Sequence, residues 1–314
     1  MADESAGIQS EKTREELPID EYVGIDLDFD SLQFLFDFSK SLAGKLFDLA
    51  SVFSDNLVAV ITNASATWVF ARRAGYRTAY QSLVGVSLGV RSVVTPGEPA
   101  KTAHEKLDEH LKIPKWRGTL DNMAGLEARQ MVVDFLENDV SRACAATVLS
   151  QCTVLTWSAF EILASDLFTT LLNENPHLTA RLLKSEHTKK LYQSKEFAAA
   201  LEENKYDLSK CMGDVLLRQA RMDRLDTIRC VYEVLFEGNE SLRQALGDCR
   251  IWRLWKTRNL IVHRAGVVDE LFRTSTGIDV PIGSKIKITP ALLMSDLLLV
   301  GKAGVELLAA TRLS

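Results

Sequence analysis

The chain has 314 residues, 46% of them hydrophobic and 25% charged, enough for one large or two ordinary domains with a sizeable core. Lys and Arg number 37 against 42 Asp and Glu, a net charge of -5, so no bulk positive field argues for wrapping nucleic acid and any polyanion site must be local. The odd set Cys144, Cys152, Cys211, Cys230 and Cys249 contains no CxxC pair, which fits neither a disulfide framework nor a zinc ribbon and places the chain in a reducing, cytoplasmic setting.

Residues 1–20, MADESAGIQSEKTREELPID, carry six acids and two bases without an apolar run, and read as a flexible acidic tail. From Asp28 to about Val94 the apolar residues Leu32, Leu35, Phe36, Leu42, Leu46, Leu49 and Phe53 recur at steps of 3 and 4, the helical period. NLVAVITNASATWVFA, 56–71, is the most lipid-like stretch, but it is too short for a span and holds two Asn, so it reads as core helix and no membrane contact is expected. VVTPGEP, 93–99, signals a loop, after which Pro99 can open a polar helix toward His110, with Pro114 and Gly118 as further punctuation. HEKLDEH, 104–110, is not the H-E-x-x-H metal pattern, because its two His are six apart, and no metal site or cofactor is expected.

From about Leu126 to Leu172 the helical pattern runs without Pro or Gly, as two helices or one bent one, and stops at NENP. Residues 177–238 are polar and helix-compatible, and read as an insertion within one domain. A helix is then expected from about Ser241 to Ala265, closed by Gly266 in a left-handed conformation. A short hairpin-like stretch, GIDVPIGSKIKI, precedes a last helix with Thr289 as N-cap, Pro290 in its first turn and a stripe of Leu293, Leu297, Val300 and Leu307. The fold class is all-α: an N-terminal helical region, 21–125, whose role the sequence does not assign, and a helical domain, 126–314.

Two charged residues interrupt apolar seams. On the 241–265 helix, Ile251, Leu254, Ile261 and Ala265 leave Arg258 in the missing position, and a cation on a buried stripe is costly unless something anionic meets it. On the preceding long helix, Trp157, Ala164, Phe168 and Leu171 leave Glu161 in theirs, so the two invite pairing. Asn259 and His263 are four apart and share a face about 40° wide, whereas Arg258 lies roughly 140° round from His263. That geometry suits the edge of a groove, and a His in a last turn, where the helix dipole favours a cation, can act as general acid or base. Spacing alone is weak, since RLLKSEH, Arg181 to His187, satisfies it too. The distinction is context: RLLKSEH is polar, while Arg258 to His263 lies in an apolar helix with Asn directly after the Arg.

The segment RNLIVHRAG, behind an aromatic-rich helix and before a short turn and a last apolar helix, resembles the HEPN superfamily, whose nucleases carry an R-x(4-6)-H motif, commonly with a polar residue after the Arg. TWSAFEILASDLFTTLL, 156–172, is similar to the leading helix of that domain. The resemblance covers roughly 126–312, interrupted by 177–238. It implies a HEPN-like bundle and a metal-independent endoribonuclease of the toxin or antiviral-defence kind, working without cofactor on RNA across a homodimer. By the same resemblance Arg258 holds the scissile phosphate, His263 moves a proton to or from the attacking 2′-OH or the leaving oxygen, and Asn259 orients one of them. Glu161 would support Arg258, and cleavage would leave a 2′,3′-cyclic phosphate and a 5′-OH. An antitoxin or sensor partner would restrain it. One departure stands: the subgroup motif R-x(4)-H-x-Y has its Tyr where this chain has Ala265. Residues 241–275 hold seven bases and three acids, and Arg253, Lys256 and Arg264 are the candidates for drawing an RNA backbone. Trp252 and Trp255 read as core side chains rather than base-stacking platforms. The other reading is a non-catalytic, dimeric helical interaction module in which Arg258 and Glu161 merely pair.

Overall fold

The computed structural model describes residues 19–94 and 100–312, apart from 26, 193–198, 200, 201, 204, 206 and 221. Among these residues the chain is all-α, with twelve α-helices and no strand. The acidic tail lies almost wholly outside the described residues, as do Pro99 and most of the 93–99 loop. Helix α1 spans Gln33–Ser39, α2 Gly44–Val94, α3 Ala100–His110, α4 Pro114–Glu137, α5 Asp139–Glu174 and α6 Thr179–Lys184. After α7, Met212–Leu217, come α8, Leu225–Leu235, α9, Glu240–Gly247, and α10, Cys249–Arg264. The chain closes with α11, Glu270–Thr276, and α12, Pro290–Arg312.

Two compact units result, one built on Ala71–Arg142, the other on Asp20–Phe70 with Ala143–Ser314. The boundary expected at 125 therefore does not coincide with theirs. The reason is visible in the larger core: Phe53, Leu57, Val60, Ile61 and Ala64 of α2 are buried in one cluster with Leu163, Phe168, Leu297 and Val300. In the smaller unit a narrow stripe on α4, Leu120, Ala124, Ala128, Val132 and Leu136, repeats every fourth residue, and small side chains let helices approach. There a Cβ on Gly75 would meet the Ala124 carbonyl oxygen at 2.5 Å. The Arg72 guanidinium donates to the Asp121 carbonyl (3.0 Å) and the Tyr80 hydroxyl to Asp108 (2.8 Å).

In the larger unit α5 is the central helix. It is long and apolar enough by length and composition to cross a membrane, unlike the 56–71 stretch singled out by sequence, yet it buries Trp157, Phe160, Leu163, Leu167, Phe168 and Leu171 in the core. Of the two readings for Leu126–Leu172, the structure has two helices, broken at Asn138, whose extended backbone ends α4 and whose side-chain oxygen accepts from the Val140 N–H (2.8 Å).

The polar 177–238 stretch belongs to the same core. Helix α8 buries Leu225, Ile228, Val231, Tyr232 and Leu235, and the Tyr232 hydroxyl donates to the Ala164 carbonyl of α5 at 2.6 Å. Helix α7 docks through Gly213, whose N–H donates to Asn173 Oδ1 (2.7 Å). The stripe predicted for α12 is fully buried, and Thr289 accepts from the Leu292 N–H at 3.2 Å as its cap. The 277–288 stretch is not a hairpin. It returns instead against the end of α10, with Val268 N–H to Ser284 carbonyl (2.9 Å), Gly283 N–H to Val268 carbonyl (2.8 Å) and Ile286 N–H to Gly266 carbonyl (2.9 Å). Its pairing partner is the segment after Arg264, which no pattern internal to 277–288 encodes.

Candidate active site

The helix expected over 241–265 breaks once. At Asp248 the backbone turns extended (φ -59°, ψ 128°), ending α9, and the same carboxylate caps α10 by accepting from the Arg250 N–H (2.8 Å). Gly247 weakens the helix and the Asp supplies the cap, so two shorter helices replace one. Helix α10 buries Ile251, Leu254, Trp255, Leu260 and Ile261. It ends with two consecutive left-handed residues, Ala265 (φ 51°) and Gly266 (φ 79°), and the Leu260 carbonyl accepts from the Gly266 N–H at 3.1 Å. The expected terminator is Gly266, but Ala265 takes the left-handed turn first and is exposed, so it does not continue the seam.

Arg258 occupies the gap in that seam with its side chain 19% exposed, and Glu161 of α5 meets it at 3.7 Å, 26% exposed. The nearest guanidinium hydrogen bond is local: Nη1 donates to Asn259 Oδ1 at 3.0 Å. The structure thus brings Arg258, Asn259 and Glu161 together. His263 is exposed near the helix end, about 7.5 Å farther along the axis and roughly 140° round from Arg258, and its imidazole makes no hydrogen bond to any described residue. Two cavities, of about 980 and 470 Å³, lie elsewhere; neither is lined by Arg258, Asn259 or His263.

No family model, curated protein or solved structure matches this chain.

Four buried polar atoms around Glu161 lack a hydrogen-bond partner: Trp157 Nε1, Glu161 Oε2, Asp223 Oδ1 and Arg258 Nε. Buried polar atoms are nearly always paired, so two donors and two acceptors left open in one place mark an arrangement that is not closed on itself. Burial raises the Glu161 carboxyl above the ordinary carboxylate range; Arg258 opposes this, Asp223 adds to it, and the nearby Trp157 indole favours the carboxylate without a hydrogen bond of normal geometry. Asp223 is held in place because Trp255 Nε1 donates to its backbone carbonyl at 3.2 Å. Neither Asp223 nor the inward-facing indole of Trp157 was a site candidate by sequence. Asp223 lies in the polar stretch before α8 with no periodic cue, and Trp157 is an ordinary seam residue by spacing.

The basic residues differ in how free they are. Lys256 Nζ lies 4.6 Å from the Trp252 ring centroid and 5.0 Å from that of Trp255, so both indoles hold it by cation–π attraction. Trp255 is buried and Trp252 half-buried, so both are core side chains as expected. Arg264 pairs with Asp269 at 2.6 Å, and Arg250 with Asp248 at 2.6 Å. Arg253 is exposed and makes no ion pair with a described residue.

Proposed function

We propose that the chain is a HEPN-like, metal-independent endoribonuclease whose site is completed by a second copy. The observation that carries this reading is the contrast along α10: a half-buried guanidinium backed by a carboxylate, and, five residues on toward the helix end, an exposed imidazole without a partner among the described residues. A guanidinium so placed suits a phosphodiester, because its planar donors match two phosphate oxygens and can hold charge that develops during transfer. His263 can take the proton of an attacking 2′-OH or give one to the leaving oxygen. Cleavage leaves a 2′,3′-cyclic phosphate and a 5′-OH. The exposure of His263 accords with a site formed between two copies, and restraint by a toxin's partner or a defence sensor follows from the same reading.

The test is cleavage of labelled RNA by the purified chain in excess EDTA, with end-group analysis. Cleavage that persists in EDTA, yields the cyclic phosphate and disappears in His263→Ala and Arg258→Ala supports the reading. Equal activity in all three folded proteins would remove it. One observation favours the non-catalytic module instead: Arg258 and Glu161 already meet. That reading expects His263→Ala to leave RNA integrity and growth on induced expression unchanged.

A further inference from the structure

The Arg258–Glu161 contact is an incomplete one. At 3.7 Å it is an ion pair without a hydrogen bond, Nε of the guanidinium and Oε2 of the carboxylate are both buried and open, and the hydrogen bond the guanidinium makes among the described residues is to its neighbour Asn259. A buried pair that is geometrically poor returns little of the cost of desolvating its two charges. Around the carboxylate the facing groups are Arg258 from α10, Asp223 from the segment before α8, and Trp157 one turn back on α5 itself. Glu161 therefore has one guanidinium as its counter-ion and a second carboxylate acting against its charge, and Trp157 offers a single neutral N–H.

We infer that Arg258 is a proton-coupled latch: a phosphodiester oxyanion draws the guanidinium away from Glu161, and Glu161, left facing Asp223 in a half-buried site, takes up one proton from solvent. This rests on the reading of Arg258 as the phosphate-holding residue. Proton uptake follows from elementary charge accounting. With Arg258 turned outward, the carboxylate loses its counter-ion and keeps a like charge beside it, and both effects favour the neutral acid. Glu161 is then a positioning residue that holds the guanidinium when no anion is present, and Asp223 acts through Glu161 by helping to set the pH at which the guanidinium is released. Burial already raises the Glu161 carboxyl, in the same direction.

The test is binding of a 2′-O-methyl RNA oligonucleotide, which cannot be cleaved by 2′-OH attack and whose diester phosphates do not titrate near neutrality. The full chain carries His263→Ala to remove the imidazole, and anisotropy is read from pH 8 to 5.5 at fixed ionic strength. The expected result is a Kd that falls with pH at a slope approaching about tenfold per unit for one linked proton. Adding Glu161→Gln makes Kd flat across that range and several-fold tighter at pH 8, and Asp223→Asn moves the rise in affinity to lower pH. Calorimetry of the His263→Ala protein in two buffers of different ionisation heat counts the proton directly, should Glu161→Gln fold poorly. The same pH slope with and without Glu161, no net proton uptake, or no binding by folded His263→Ala protein would overturn the latch. Loss of the nuclease reading looks different: wild-type protein then fails to cut while pH-linked binding persists.

Discussion

Gly213 gives a prediction whose sign is diagnostic. It sits in α7, and a Cβ built on it would lie 2.3 Å from the Thr169 carbonyl oxygen, 2.6 Å from Thr169 Cα and 2.8 Å from its carbonyl carbon. These are backbone atoms within α5, which cannot swing aside as a side-chain end can. In an ordinary helix interior Gly→Ala stabilises by roughly 0.5–1 kcal/mol through backbone entropy. Here α7 must retreat by about an ångström, an overpacking cost of about 1–3 kcal/mol. Retreat also weakens the Gly213 N–H bond to Asn173 Oδ1, 2.7 Å long, worth about 1 kcal/mol. Gly213→Ala is therefore expected to destabilise by about 2–3 kcal/mol. At roughly 2–4 °C per kcal/mol for a unit of this size, that lowers Tm by about 4–12 °C in thermal unfolding followed by circular dichroism. Asn173→Ala, which removes the hydrogen bond without the clash, should cost about 1 kcal/mol alone. An unchanged or raised Tm for Gly213→Ala would refute the close approach of α7 to α5.

Other expectations follow from named residues. Ala265→Gly relieves a left-handed Cβ and should stabilise by about 1 kcal/mol, read as a small rise in Tm; a fall would contradict the positive φ of 51°. Burial alone pushes the Asp296 carboxyl of α12 up to about 7. Its folded-state pKa thus exceeds the unfolded one, so the stability linked to it is fully present below about pH 4 and lost as pH rises through 7, by up to about 4 kcal/mol. Asp296→Asn should raise Tm at pH 8 and flatten its pH dependence between 4 and 8; an unaltered profile would count against this. Tyr232→Phe removes the buried hydroxyl that donates to the Ala164 carbonyl and should cost about 1 kcal/mol in chemical denaturation, with no change in the slope m.

The seams of α5, α10 and α12 were legible because burial on one face imposes a 3.6-residue rhythm, and the same rhythm exposed Arg258 and Glu161 as intruders that the fold does bring together. What periodicity does not carry is interruption. The Gly247–Asp248 pair holds both a breaker and a cap, yet apolar residues continue in phase on either side, so 241–265 read as one helix. Long-range partners are equally silent. Nothing within 277–288 says that it pairs with 266–268, and nothing before α8 marks Asp223 as a neighbour of Glu161. The polar average over 177–238 concealed Ile228, Val231 and Tyr232, because an amphipathic helix with one buried face has an unremarkable mean composition.

The left-handed end of α10 bears on what the chain can become. In the subgroup motif that extends R-x(4)-H by x-Y, the tyrosine falls on position 265, where the backbone has φ 51° and ψ 31°. Side chains beyond Gly, Asn and Asp sit there at a cost of about 1–2 kcal/mol, and an aromatic ring is among the less tolerated. Ala265→Tyr would place a phenol on a turn that resists it, so a tyrosine there would take a second change that reshapes the helix end. The backbone of this helix terminus thus disfavours a tyrosine at position 265 whatever the chain acts on.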